Sequence, residues 1–238
     1  FAIFVERVEE KAPGSSGGAI FLRDSDSIVK NCIIVANAAY LGAGGIHSQP
    51  DSNPFISNCI ICDNHGLGIL GIGLTVTNSI VWGNAPGHSP DDFRDQLDVD
   101  RGIATVNYSN IQGGWLGLGN IDEDPCFVSP GYWDPCVPWE REYVCVDGGY
   151  HLKSEGWRWD GRRKVWTWDD VTSRCIDAGD PDSVLGDESL SIPGDPNSEW
   201  GRNVRINMGA YGGTAEASMA PAGWAGRKDY NNDGITNF

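Results

Sequence analysis

The sequence repeats one short motif in its first half, and this repeat decides the fold. The plain copies are Asn31-Cys32-Ile33-Ile34, Asn58-Cys59-Ile60-Ile61 and Asn78-Ser79-Ile80-Val81, and a weaker fourth is Tyr108-Ser109-Asn110-Ile111. Each plain copy follows a β-prone run and leads to a second Asn, at Asn37, Asn64 and Asn84. The offsets between copies are 27, 20 and 30 residues, which fits a solenoid with strands in register and loops of varied length.

The repeat predicts an all-β protein built as a parallel β-helix. Val, Ile and Thr dominate these segments, and no helical period persists. Alternate side chains of each strand would point inward and stack on the next coil about 4.8 Å away. One such ladder would hold Cys32, Cys59, Ser79 and Ser109. Asn31, Asn58 and Asn78 suit a tight corner, and we expect their amides to bond along the stack.

Beyond Gly113 the repeat fades into loops rich in Pro, Asp and Trp, so this half is expected to close the solenoid. A β-hairpin insertion is predicted where two Trp-containing runs flank Asp160-Gly161-Arg162-Arg163. The expected organisation is a β-helix with closing loops over residues 1–211, a linker over 212–228 and a separate motif over 229–238. Phe1-Ala2-Ile3-Phe4-Val5 reads as a strand, and we expect a fragment or processed form.

The charge balance limits the classes of molecule that the protein can bind. Thirty-three acidic and 17 basic residues give a net charge of -16, which repels nucleic acid and anionic lipid. Cations, neutral glycans and proteins are the remaining partners. No apolar run reaches the roughly 18 residues of a membrane-spanning helix. Seven Cys, several of them in Pro- and Gly-rich sequence, favour an oxidising compartment.

Four segments together resemble one known family. They are Ser109 to Val128 (SNIQGGWLGLGNIDEDPCFV), Tyr150-His151-Leu152, Ser173 to Pro181 (SRCIDAGDP) and Ile206 to Ser218 (INMGAYGGTAEAS). The chain is similar here to the right-handed parallel β-helix repeat proteins of planctomycete-type bacteria. Arg174 stands where the family usually has Pro. The resemblance implies a right-handed β-helix that is secreted or attached to the cell surface, and it implies little about chemistry.

The resemblance also suggests a disulfide framework. Cys126 and Cys175 lie in two of the family-like segments, so we predict a bond between them. Cys136 and Cys145 bracket an insertion of a length that a local bond closes, so we predict a second bond there. Cys32, Cys59 and Cys62 are expected to stay reduced, since ladder positions suit small apolar side chains without a bond.

The end of the chain predicts a calcium site. Residues 229–237 match the first nine positions of a calcium loop, with ligands expected from Asp229, Asn231, Asp233, the backbone carbonyl of Ile235, and Asn237. The segment resembles half of a dockerin. The twelfth position, which normally supplies a carboxylate, would fall beyond Phe238. Calcium is therefore the one cofactor expected.

The search for catalytic residues is mostly negative. The sequence lacks the ordered Asp, His and Arg-Lys segments of polygalacturonase-like β-helices, and no Gly-x-Ser-x-Gly motif occurs. Lyase chemistry needs carboxylates and a base on one face, and Asp122, Asp124 and Arg174 are the candidates. Solvated loop charges are the simpler interpretation of these residues. The sequence therefore favours a protein that is not an enzyme.

Ten Trp offer a further binding candidate. A sugar platform could be formed by Trp157, Trp159, Trp166 and Trp168. The rival interpretation packs these rings on the flank of the solenoid. The leading hypothesis is a non-catalytic extracellular β-helix with a structural or adhesive role, self-associating end to end into filaments or binding other surface proteins. The alternatives are a polysaccharide lyase or glycoside hydrolase of β-helix type, and a glycan-binding module.

Overall fold

The structure is a computed structural model that describes residues 3–6, 18–84, 96–99, 104–133, 143–144, 149–188 and 203–224. Thirteen strands of this part form three parallel sheets. Sheet A contains β1 (Ile3–Glu6), β4 (Cys32–Val35), β7 (Ile60–Cys62), β10 (Ile80–Trp82) and β13 (Asn110–Ile111). Sheet B contains β2 (Ile20–Leu22), β5 (Ala38–Ser48), β8 (His65–Gly71) and β11 (Leu97–Val99). Sheet C contains β3 (Ile28–Lys30), β6 (Phe55–Ser57), β9 (Thr75–Thr77) and β12 (Thr105–Asn107).

From β2 onward, successive strands enter sheets B, C and A in turn, so three strands make one coil. Each strand pairs in parallel with its equivalent in the next coil. The predicted all-β architecture of stacked parallel coils is therefore present. The described residues contain no helix, and hence none that could cross a membrane.

The register confirms the ladder that the repeat predicts. Ile33 pairs with Ile60, and Ile60 pairs with Ile80. Ile80 in turn pairs with Asn110. The residues one position before these four along their strands are Cys32, Cys59, Ser79 and Ser109. Their stacking is visible in the hydrogen bonds, because the N-H of Cys59 donates to Ser79 Oγ at 3.1 Å and that of Ser79 to Ser109 Oγ at 3.2 Å.

Two antiparallel pairs lie outside the coils. β14 (Tyr132–Trp133) pairs with β15 (Tyr143–Val144), and β16 (Arg158–Asp160) pairs with β17 (Val165–Thr167). The second pair confirms the predicted hairpin. Its turn is closed by Asp160, whose Oδ1 accepts hydrogen bonds from the N-H groups of Arg162 and Arg163 at 3.0 and 2.9 Å.

Two apolar cores share sheet A. The inward positions of the coils, such as Ile34, Ile61 and Val81, are fully buried inside the solenoid. The outward positions of the same strands are equally apolar and form a second core with residues from the end of the chain. We call those residues, 149–188 and 203–224, the cover. Burial of each Ile contributes about 1.5–3 kcal/mol, so an uncovered sheet A would be unfavourable.

The cover corrects the predicted linker. Residues 212–224 are packed rather than extended: Met219 is fully buried, and Ala220 and Trp224 belong to the second core. The glycines of this segment allow its backbone to lie close to the coils. A Cβ on Gly212 would lie 2.1 Å from the carbonyl oxygen of Asn207 and 2.5 Å from the amide nitrogen of Asn58. The Ala- and Gly-rich composition of this segment therefore reflects tight packing. The remaining residues of the predicted linker, 225–228, lie outside the described part.

The first Asn of each repeat forms the corner, as predicted, but does not form a stack of amides. Asn31, Asn58 and Asn78 have φ values of 53°, 49° and 51°, in the left-handed region that Asn tolerates. Their side-chain amides point to the cover instead of to one another. Asn31 Nδ2 donates to the carbonyl oxygens of Ala210 and Gly212, and Asn58 Nδ2 donates to that of Asn207. The corner residues thus hold the cover on sheet A.

The second Asn of each repeat forms the buried amide ladder. Asn37 Nδ2 donates to Asn64 Oδ1 at 3.1 Å, Asn64 Nδ2 to Asn84 Oδ1 at 2.8 Å, and Asn84 Nδ2 to Gln96 Oε1 at 2.8 Å. The same oxygens accept the backbone N-H groups of Asn37, Asn64 and Asn84. All four side chains are buried, so each amide depends on its neighbours for hydrogen bonds.

We expect Asn64→Ala to lower the free energy of unfolding by about 3 kcal/mol, because it leaves buried polar groups of two neighbouring coils without partners. Urea denaturation measures the loss. Asn53→Ala is the matched control, since Asn53 bonds the exposed Asp26 carboxylate, and its cost should stay below about 1 kcal/mol. Equal losses for the two variants would contradict a stabilising amide ladder.

Candidate functional site

A groove of about 400 Å³ lies between the outer face of sheet C and the cover. Sheet C buries Val29, Ile56, Val76 and Val106 inside the coils. Because side chains alternate along a strand, the flanking positions face outward. One outward row contains Ile28, Phe55, Thr75 and Thr105, and the other contains Lys30, Ser57, Thr77 and Asn107. These rows supply the floor of the groove.

The wall of the groove comes from the cover segment 180–184. Asn78, a corner residue, fixes this segment at two points. Its Oδ1 accepts the N-H of Asp180 at 2.7 Å, and its Nδ2 donates to Ser183 Oγ at 3.0 Å. Gly179 allows the approach, because a Cβ there would lie 2.8 Å from Asn78 Oδ1. The wall is therefore attached to the solenoid by the same residue type that forms its corners.

Tyr108 lines the groove beside the fourth coil. It occupies the corner position with a φ of 47°, and the guanidinium carbon of Arg205 lies 5.6 Å from its ring centre. Burial raises the pKa of the phenol, and the nearby Asp180 raises it further, while Arg205 lowers it. The phenol therefore stays protonated at neutral pH and can donate a hydrogen bond.

Glu188 is a buried carboxyl group in the same cover and is 4% exposed. Its oxygens accept hydrogen bonds from the N-H groups of Asn207 and Gly213, each at 2.8 Å, and from Asn203 Nδ2 at 2.6 Å. Burial raises the pKa of this carboxyl to about 7 in spite of these donors, which lower it. Glu188 thus joins chain segments next to the groove wall, and its charge is unfavourable in the folded state.

This pKa predicts that the protein loses stability as the pH rises. The folded pKa lies above the ordinary value of 4.5, so the stabilisation is complete below about pH 4.5 and is lost through about pH 7. The loss amounts to about 3 kcal/mol at most. Denaturation curves between these pH values should show it in the wild type and not in Glu188→Gln. Identical pH dependence in the two proteins would contradict the assignment to Glu188.

The four predicted platform Trp come together as two edge-to-face pairs. The ring centres of Trp157 and Trp168 are 5.1 Å apart at 70°, and those of Trp159 and Trp166 are 5.8 Å apart at 61°. Trp168 is 63% exposed, whereas the other three are half-buried. The hairpin is fixed at its base, since Arg158 Nε donates to Asp169 Oδ2 at 2.8 Å. This geometry offers no coplanar pair of rings, and sugar binding there stays a prediction.

In the structure, Cys126 and Cys175 do not form the predicted disulfide. Cys175 points into the second core, where it accepts a hydrogen bond from Asn110 Nδ2 at 3.1 Å and lies near Cys62. Cys126 is half-buried in a separate loop. Cys32, Cys59 and Cys62 are free as predicted. Cys136 and Cys145 lie outside the described residues, so their bond stays a prediction.

Burial predicts very different reactivity among the five described thiols. Burial and the nearby Asp124 raise the pKa of the Cys126 thiol, so its reaction with iodoacetamide in the native protein should be followed above about pH 8.5. The four buried thiols, Cys32, Cys59, Cys62 and Cys175, should react after unfolding in guanidinium. Peptide mass spectrometry without reductant reads out both. A recovered peptide pair linking Cys126 to Cys175 would restore the original assignment.

The lyase candidates have local structural roles. Asp122 Oδ1 accepts the N-H of Gly113 at 3.0 Å, and Asp124 Oδ1 accepts the N-H of Cys126 at 2.8 Å. The Arg174 guanidinium lies 5.8 Å from the Trp224 ring centre. Within the described part of the chain, no group of three or more acidic, His or Cys side chains could hold a metal ion. The predicted calcium ligands from Asp229 to Asn237 lie outside that part, so calcium stays a prediction.

Comparisons with models of protein families, with curated proteins and with solved structures gave no match to this chain. The groove therefore has to be interpreted from its own residues. Sequence reasoning missed it, although one signal was present: Thr75-Val76-Thr77 and Thr105-Val106-Asn107 alternate polar and apolar residues. The pattern indicates a polar outer face. It does not indicate which distant segment forms the wall.

Proposed function

We propose that the protein is a non-catalytic, right-handed parallel β-helix of the cell exterior with a structural or adhesive role. The observation that carries the proposal is the groove, which presents hydroxyl, amide and aromatic groups along a rigid stack of coils. A surface of this kind suits reversible contact with a partner. The extracellular location rests on the resemblance of the four family-like segments, since no described cysteine forms a disulfide that would support it.

The groove supports a role in binding rather than hydrolysis. Glycoside hydrolysis by the common mechanisms needs two carboxylates on either side of one bond. Asp180 is the one carboxylate among the described residues that line the groove. Lys30 belongs to the first strand of sheet C, whereas Asp180 bonds Asn78 at the end of the third. Asp180 in the cover is thus attached beside the third coil, whereas Lys30 belongs to the first.

Self-association is supported by the position of β1. Among the described strands, β1 lies at one end of sheet A and pairs with β4 alone. Unpaired N-H and C=O groups at such an edge can bind another chain. Head-to-tail contact between solenoid ends is heterologous and grows an open filament unless the rotation closes a ring. Calcium between acidic subunits would reduce their repulsion.

The proposal predicts assembly without turnover. Light scattering and negative-stain microscopy of the 238-residue chain should show elongated assemblies with calcium and fewer with chelator. Pure protein should release no reducing or unsaturated ends from pectin or alginate, whose negative charge the net charge of -16 repels. Strictly monomeric particles in both conditions would remove the filament. Sugar release that is lost in Asp122→Ala or Asp124→Ala would replace the structural role with an enzymatic one.

A further inference from the structure

We propose that the groove between sheet C and the cover binds a neutral oligosaccharide, with the sugar chain lying along the stack of coils. This inference names a ligand for one surface of the proposed adhesive protein. It rests on the proposed function, because it assumes that the bound sugar is not cleaved. It concerns a different site from the Trp hairpin.

The polar groups of the groove match the chemistry of sugar hydroxyls. A sugar hydroxyl both donates and accepts, and so do the side chains of Thr75, Thr77 and Asn107. The Thr75 and Thr77 hydroxyls have no hydrogen-bond partner among the described residues, and both side chains are half-buried. Tyr108 adds a protonated phenol. These groups are held on strands and a fixed corner, which limits the entropy lost on binding.

An apolar surface lies next to these polar groups. Phe55 projects from sheet C in the same outward row as Thr75 and is 41% exposed. Val184 on the opposite wall is 84% exposed. An aromatic ring beside hydroxyl groups suits a sugar ring, which has an apolar C-H face and a polar rim. Exposed apolar side chains without polar neighbours would instead favour a purely hydrophobic ligand.

The spacing of the coils gives the groove a direction. Lys30, Ser57, Thr77 and Asn107 occupy one row, each on the next strand of sheet C. Neighbouring strands lie about 4.8 Å apart, so the row extends about 14 Å. That length accommodates a short linear chain, and the volume of about 400 Å³ falls at the lower end of ordinary ligand sites.

Charge and backbone geometry favour a neutral glycan over an acidic polysaccharide and over an extended peptide. The net charge of -16 repels acidic polysaccharides, and Lys30 and Asp180 balance each other among the lining residues. An extended peptide would bind by adding a strand to a sheet edge. The groove lies on a sheet face, where the backbone groups of β6 and β9 already pair with neighbouring strands. A ligand in the groove can therefore form hydrogen bonds to the side chains of these strands but not to their backbone.

The test uses pure 238-residue protein and pentasaccharides of neutral glucose, xylose and mannose units, with pentagalacturonate as the acidic probe. Calorimetry should detect binding of at least one neutral probe. Phe55→Ala should weaken it about tenfold, and Thr77→Trp, which fills the groove, should abolish it. Phe21→Ala is the matched control, because Phe21 is 43% exposed on sheet B and should leave the affinity unchanged. Thermal unfolding checks that each variant is folded.

The remaining outcomes separate this proposal from the proposed function. Binding that is lost in Trp168→Ala and kept in both groove variants would assign the sugar site to the hairpin and overturn the groove. Tighter binding of pentagalacturonate, or of a neutral Ser- and Gly-rich peptide, would overturn the ligand class. No binding by a protein that still assembles would overturn the groove and leave the structural role. Cleavage of a bound probe would support the groove and overturn the non-catalytic role.

Discussion

The buried amide ladder is the constraint on which the rest of the structure depends. A primary amide inside an apolar coil loses its bonds to water and must regain them from protein. Asn37, Asn64, Asn84 and Gln96 do so from one another and from the backbone at the turn between sheets A and B. A register slip would break bonds on several coils at once. The ladder therefore fixes the stacking of the coils while their loops vary in length.

The corner asparagines extend the same chemistry outward. The left-handed backbone at each corner turns the side chains of Asn31, Asn58 and Asn78 away from the coil interior. On the outside of the coils, these side chains form hydrogen bonds to the cover. Each bond crosses a long stretch of sequence: Asn31 lies 179 residues from Ala210. The bonds hold the cover over the apolar outer face of sheet A and place one cover segment beside sheet C. The groove exists because of this attachment.

The coils could be predicted from the sequence because they rest on local and repeated signals. The ladder of Cys32, Cys59, Ser79 and Ser109 and the Trp-containing hairpin are found where the pattern places them. The cover could not be predicted, since its contacts pair unrelated segments. Its Ala- and Gly-rich end looks like a linker by composition, although Gly212 is small because Asn58 and Asn207 leave no room for a Cβ. The predicted Cys126 to Cys175 bond is missing for a similar reason: Cys175 faces a core that no local pattern reveals.

In the proposed binding groove, specificity would arise where the repeating coils meet the cover, which does not repeat. The coils alone offer rows of similar side chains at a fixed spacing, and such rows cannot distinguish one linear ligand from another. The cover adds Asp180, Ser183 and Val184 to the lining of the groove, and these residues have no equivalents on the other coils. Because the corner residues hold the cover on the stack, these side chains line the same groove as Thr75 and Thr77. A surface built in this way can select its ligand by shape and hydrogen bonding, while the stacked coils keep it rigid.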